Sequence, residues 1–119
     1  DYKEAGPQLL LQSFLQRIVN GGGEIRREYG LGRKRTDLLI TWPYPGGVQR
    51  IVLELKLART APDKVIAEGL VQTADYADRC NADEAHLLIF DRRPRRRWSD
   101  RIYRRARKHQ GRPITVWGL

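Results

Sequence analysis

The sequence predicts an α/β fold, a mixed β-sheet flanked by helices, with the element order α-β-β-β-α-β-α-β. Three observations predict it. Leu9, Leu10, Leu11, Phe14, Leu15, Ile18 and Val19 recur at helical spacing. Two apolar runs, 37–42 and 49–57, flank Pro43-Tyr44-Pro45-Gly46-Gly47, a cluster of turn-forming residues. A long helical stretch then leads into the compact apolar run 85–90, and helix alternating with strand favours a sheet covered on both faces.

The elements follow in order. The first helix spans 8–19 and ends at Gly21-Gly22-Gly23. Residues 24–29 alternate as a first strand, and Gly30 and Gly32 mark a turn. Strands at 37–42 and 49–57 follow. Pro62 suits the first turn of a helix reaching about Cys80, with Thr60 or Ala61 near its cap. Residues 85–90 read as a buried strand. Ser99 or Asp100 is expected to cap a third helix carrying Trp98, Ile102 and Ala106 on one side. Residues 114–117 close the chain as a short strand, and there is no internal repeat.

A chain of 119 residues suits one domain, 1–119, with one core. Apolar residues make up 40% and charged residues 31%, a soluble globular balance that excludes disordered and fibrous classes. The apolar runs are too short to span a membrane, and the N-terminus does not read as a signal peptide. Met is absent, so Asp1 is not expected to be a native start and the domain is expected to belong to a longer protein. Cys80 stands alone, which excludes an internal disulfide or a cysteine-based zinc site; an intracellular, cytoplasmic protein is expected.

The net charge of +9 is unevenly placed. From Arg92 to Arg112 there are eleven basic residues and one acid, Asp100, so this segment carries +10 and the remainder −1. Such a cationic end implies a polyanionic partner, nucleic acid first, with an anionic membrane or an acidic protein as alternatives.

If Trp42 faces Gln49 in a hairpin, Asp37 lies opposite Glu54 on one sheet face. Facing strands are roughly 5 Å apart. Like charges held so repel and destabilise the sheet, whereas a divalent cation between them converts repulsion into ligation, since Mg²⁺ favours carboxylate oxygens. Lys56, two residues beyond Glu54, shares that face in an otherwise apolar strand of Ile51, Val52, Leu53, Leu55 and Leu57. Two readings stand. One is a structural Glu54–Lys56 pair on the solvent side of an edge strand. The other is a metal and an ammonium at one phosphate, the metal activating water and Lys56 orienting it or stabilising charge on the phosphorane.

At these residues the chain resembles a known family. Arg35-Thr36-Asp37, followed after the hairpin by Leu53-Glu54-Leu55-Lys56, resembles the D…(D/E)-x-K signature of the PD-(D/E)XK nuclease superfamily. Gln72-Thr73-Ala74-Asp75-Tyr76 resembles the Q-x-x-x-Y motif of RecB-like members. Glu28-Tyr29-Gly30 before Arg35-x-Asp37 resembles the nuclease domains often attached to AAA-ATPase-like modules. The resemblance covers residues 8–91. It implies a restriction-endonuclease-like core and a metal-dependent nuclease that hydrolyses phosphodiester bonds in nucleic acid, DNA foremost, with Mg²⁺ or Mn²⁺. The implied catalytic residues are Asp37, Glu54, Lys56 and Gln72; the implied metal ligands are Asp37, Glu54 and Glu28. An AAA-ATPase-like domain in the same longer chain is the implied protein partner. One departure is that many members supply a further acidic ligand from the first helix, whereas residues 8–19 contain no acid. Glu4 lies before Pro7, and Glu28 matches the ATPase-associated pattern better.

Gln72 and Tyr76, four apart, share one helical face that Val65 and Gly69 continue, with Ile66, Leu70, Thr73 and Ala77 as the core-facing neighbours. On residues alone Gln72 and Tyr76 read as boundary residues; the resemblance implies that Gln72 touches the phosphate or water and Tyr76 shapes the site. Gly69 removes side-chain bulk where nucleic acid or the sheet approaches. The expected nucleic-acid contacts are Arg35, Tyr76, Arg95, Arg96, Arg97, Arg101, Arg104 and Arg105, the last three on the third helix. Arginine suits bidentate phosphate contacts, which position a ligand without reading its sequence. Trp98 and Tyr103 could stack on bases, with packing the expected role of Trp98. His86 reads as structural and Cys80 as a packing residue at a helix end. Two further functions compete. One is a catalytically weak or inactive nuclease-fold module docking DNA for a partner ATPase or other protein, and the other is an interaction domain whose arginine-rich helix meets an acidic protein.

Overall fold

Pro45 and Gly46 are the residue pair that a type II turn prefers, and Gly46 takes φ 107°. They join Tyr44 to Gly47 and thereby set the register of the longest hairpin, with Trp42 opposite Gln49 and Asp37 opposite Glu54. This is the pairing expected from the sequence. The structure, a computed structural model, describes residues 11, 13, 15–28 and 36–119. Residues 15–20 are helical (α1), together with Leu11 and Ser13. There follow β1 (Glu24–Glu28), β2 (Thr36–Tyr44), β3 (Gly47–Ala58), α2 (Pro62–Cys80), β4 (Glu84–Asp91), the single turn α3 (Trp98–Arg101), β5 (Tyr103–His109) and β6 (Arg112–Gly118).

The strands form one six-stranded sheet in the order β1-β2-β3-β4-β6-β5. Pairing is antiparallel for β1–β2, β2–β3 and β5–β6, and parallel for β3–β4 and β4–β6, so the sheet is mixed. Helices flank it on both faces. Strand alternation divides the core accordingly. Leu39, Val52, Ala58, Ala85, Leu87, Ile89, Ile114 and Val116 pack with Ile66, Ala74, Tyr76 and Ala77 of α2. Leu38, Ile40, Leu53, Leu55, Leu88 and Phe90 pack on the other face with Leu11 and Leu15 of the first helix.

Helix α2 begins at Pro62, whose missing N–H is not needed there. It ends at Asn81, which takes the left-handed conformation and donates its backbone N–H to Ala77 and Asp78. Cys80 packs at the edge of the α2-side core, as a helix-end residue should. Gly69 answers its own question: a Cβ there would lie 2.7 Å from Leu87 Cδ2. The sheet is what approaches Gly69, and the missing side chain lets α2 settle on β4.

The third helix is a correction. Only Trp98–Arg101 is helical, and the arginine-rich stretch beyond it is β5. The element order is therefore α-β-β-β-α-β-α-β-β. Gln110 and Gly111 both take positive φ, 49° and 83°, the signature of the tight two-residue hairpin turn that matches strand twist. Behind them Ile114 and Val116 of β6 are buried. Their strand presents a row of backbone groups to its neighbour, and β5 fills it. The interior residues of β5 are exposed on both faces. It has no apolar stripe with which a helix could dock, and hydrogen bonding to β6 holds the segment instead.

Candidate metal centre and basic surface

Asp37 and Glu54 sit directly opposite one another near the end of the β2–β3 pair remote from the turn. Both are 0% exposed. By alternation with Leu39 and Val52, their side chains belong to the face that α2 covers. Lys56 is the next residue along β3 on that face and is half-buried. The neighbours Leu53 and Leu55 point to the other core. A solvent-side Glu54–Lys56 pair on an edge strand therefore does not describe this hairpin: β3 is flanked by β2 and β4, and Glu54 is closed off from solvent.

The pairing of β1 with β2 sets Glu28, the further ligand that the resemblance implies, in register with the pair. Glu28 is the register partner of Asp37, so Glu28, Asp37 and Glu54 occupy one rung across three adjacent strands. The backbone alone places Glu28 there. The signal was present in the alternation of residues 24–28, but the strand order that uses it was not. Among the described residues, no group of three or more His, Cys, Asp or Glu side chains is arranged to hold a metal ion. The described carboxylates of the rung are Asp37 and Glu54. On α2, the Gln72 Oε1 and Tyr76 OH atoms are buried. Tyr76 is part of the core, with the Arg79 guanidinium 5.7 Å from its ring centre. Thr73 donates its hydroxyl to the Gly69 carbonyl at 2.6 Å, which satisfies it within the helix.

The cationic residues fall into three groups. Arg35 lies outside the described residues. Arg95, Arg96 and Arg97 are exposed on the loop between β4 and α3. Arg104 and Arg105 are exposed on β5 and point to opposite faces, Arg104 over the Trp117 ring at 5.3 Å and Arg105 over the Tyr103 ring at 4.3 Å. Arg101 is different: half-buried, it donates from NH2 to the Arg93 carbonyl at 2.8 Å and so ties the two ends of the loop together. From β3 to β5 there are three inter-strand steps, about 14 Å. The carboxylate pair and the basic edge thus belong to separate parts of one sheet.

The loop of Arg95–Arg97 is anchored by Asp91, a buried carboxylate at the end of β4. The Arg93 guanidinium grips it in bidentate fashion, Nε to Oδ1 at 3.0 Å and NH2 to Oδ2 at 2.8 Å, and the Arg93 backbone N–H adds a third bond at 3.0 Å. These hydrogen bonds from Arg93 hold the Asp91 carboxyl below its ordinary value of 3.8, against the opposing effect of burial. A lowered folded pKa gives stability that is complete above the ordinary value and is lost as pH falls through the folded one. The urea midpoint is therefore expected to drop as pH falls below the ordinary value of 3.8, and Asp91→Asn is expected to remove part of that drop. An acid limb identical in the variant would show that Asp91 does not contribute to it.

His86 is structural, as its sequence context suggests. The Trp117 indole N–H donates to His86 Nδ1 at 2.9 Å, which leaves Nε2 facing Glu84 Oε2 at 3.2 Å. Among the described residues, no helix is long and apolar enough to cross a membrane. Set against models of protein families, curated proteins and solved structures, the chain has no match in any of the three comparisons.

Proposed function

We propose that this domain is a restriction-endonuclease-like phosphodiesterase that uses Mg²⁺ or Mn²⁺ to hydrolyse nucleic acid, DNA foremost. The observation that carries the reading is the Asp37–Glu54 pair, two wholly buried carboxylates facing each other with Lys56 next on the same face. Two carboxylates on one rung repel, and a divalent cation between them would turn that repulsion into ligation. Hard carboxylate oxygens suit Mg²⁺ and Mn²⁺ better than softer metals, and Glu28 stands at the adjoining position of the rung. Asp37 and Glu54 would hold the ion, with Glu28 as third ligand. Bound there, a divalent cation supplies Lewis-acid polarisation of a phosphoryl oxygen and a more acidic water.

The chain's own groups do the rest. The Lys56 ammonium orients the attacking water and offsets charge as it builds on the phosphorane oxygens. Gln72 adds a neutral hydrogen-bonding group for the phosphate or the water. Arg95, Arg96 and Arg97 hold phosphates away from the reacting centre, where they supply affinity without sequence preference. An ATPase-like module in the same longer chain and a cytoplasmic setting complete the proposal.

A second reading has its own support. Asp37 and Glu54 are both shut away from solvent. A catalytically inert domain that docks DNA for a partner would have this appearance. The deciding experiment offers the wild type linear and circular DNA, single strands and RNA, with Mg²⁺ and Mn²⁺ in turn. Divalent-dependent cleavage supports the nuclease; inertness on every substrate together with salt-sensitive DNA binding establishes the docking module.

Metal binding can be read without catalysis. Millimolar Mg²⁺ is expected to raise the melting temperature, because the folded state alone brings Asp37 to Glu54; at 100-fold excess over Kd the gain is about 2.7 kcal/mol. Asp37→Asn should remove most of this gain. A melting curve indifferent to Mg²⁺ argues against the centre.

A further inference from the structure

The β5–β6 hairpin carries Arg104, Arg105, Arg107, Lys108 and Arg112, and no acidic residue lies between Ile102 and Leu119. Strand alternation sorts these charges by face. Arg105 and Arg107 pair with Val116 and Ile114, on the α2 side. Arg104, Ala106 and Lys108 are on the opposite face, beside Trp117, Thr115 and Pro113. In the next strand His86 is the register partner of Thr115. This second face is open at this end of the sheet: Arg104, Ala106 and Lys108 are exposed, and His86, Thr115 and Trp117 are half-buried. A cavity of about 350 Å³ lies here, lined by His86, Thr115, Arg104, Pro113, Arg112 and Glu84 among others.

Three residues of this surface hold one another in place. The Trp117 indole donates to His86, His86 meets Glu84, and the Arg104 guanidinium lies over the indole ring. The small side chains of Ala106 and Thr115 leave flat ground between the ring system and Lys108. An arginine stacked on an aromatic ring, with a second cation on the same face, suits single strands, where bases stack and the backbone meets positive charge. A duplex hides its base faces inside the stack and would use only the charge.

We propose that the face built by Arg104, Ala106, Lys108, Thr115, Trp117 and His86 is a binding surface for single-stranded nucleic acid, on the side of the sheet opposite the Asp37–Glu54 pair. The strand's phosphates meet Arg104 and Lys108, and a base rests against the guanidinium and indole. The inference rests on nucleic acid being the partner, but not on cleavage. The surface would hold a displaced or unpaired strand while a separate part of the domain acts on phosphodiester bonds.

The test is made in EDTA, so that metal-dependent cleavage plays no part. Fluorescence anisotropy compares a labelled oligothymidylate with a duplex of equal length, across a salt series. The oligothymidylate is expected to bind more tightly. Arg104→Gln with Lys108→Gln is expected to flatten the salt slope by about 1.4, two single-strand phosphate contacts at about 0.7 each. Ala106→Glu, at an exposed strand position, sets a carboxylate against the incoming backbone and is expected to weaken single-strand binding at least tenfold, an order-of-magnitude figure for like-charge juxtaposition. Arg105→Gln with Arg107→Gln, on the α2 side, should change binding less than the Arg104 and Lys108 pair does. The proposal is overturned if Ala106→Glu binds as the wild type does, if the two double variants lose affinity equally, or if the duplex binds more tightly. An inert domain that passes these tests refutes the nuclease reading alone, and a cleaving domain that fails them refutes this surface alone.

Discussion

Lys56→Ala is expected to lower the turnover of DNA by about 10²–10³-fold, the usual effect of removing one well-placed electrostatic contact to the transition state. Lys56 is half-buried and shares a sheet face with Glu54, two residues away. In the proposed reaction its charge would matter most as negative charge gathers on the phosphorane, so the loss should appear in kcat and hardly in affinity for metal or DNA. Glu54→Ala makes the contrast. It removes a proposed ligand, so activity and Mg²⁺-dependent stabilisation should disappear together. Single-turnover cleavage and metal titration followed by melting separate the two variants. If Lys56→Ala cleaves as fast as the wild type, the activity measured does not arise at this centre.

Leu87→Ala is expected to destabilise the fold by about 2–5 kcal/mol, the range for deleting a large buried aliphatic side chain. That is a large part of the total for a domain of this size, about 5–15 kcal/mol. Leu87 is 0% exposed and is the register partner of Glu54 on β4. Gly69 lies against it, so its isobutyl group fixes the height of α2 above the sheet. Truncation leaves a void beneath the helix that carries Gln72 and Tyr76. Urea unfolding measures the loss. A change under about 1 kcal/mol would mean that α2 sinks to fill the space and that the Gly69 contact does not set its position.

The part of this arrangement that sequence revealed was local or nearly so. Asp37 could be placed opposite Glu54 because the Pro45-Gly46 turn closes a short loop, and one pairing fixes all the others. The α2 boundaries were readable from Pro62 at one end and the loss of helical spacing at the other. Long-range order was not readable. Nothing local tells that β4 joins β3 in parallel or that β6 inserts between β4 and β5. The adjacency of Glu28 and Asp37 was hidden for the same reason. The arginine-rich stretch failed differently. Arg and Ala favour helices, and Ser99-Asp100 looks like a cap, so local propensity pointed to a helix. The Gln110-Gly111 turn followed by alternating Ile114 and Val116 was the competing signal, and partnership with β6 overrode propensity.

The position of β5 has a consequence for how copies of this protein treat each other. Outermost among the described strands, it offers a line of backbone donors and acceptors to an extended chain. Arg104, Arg105, Arg107 and Lys108 place cations on both sides of that line. A second copy approaching edge to edge would bring its own cations against them within the screening distance of about 8 Å at physiological ionic strength. Electrostatic repulsion therefore protects the exposed strand from pairing with itself. Concentrated salt weakens that protection, and so does a bound polyanion that neutralises the edge. Crowding many copies along one nucleic-acid strand would then favour the strand-to-strand contacts that the free protein avoids.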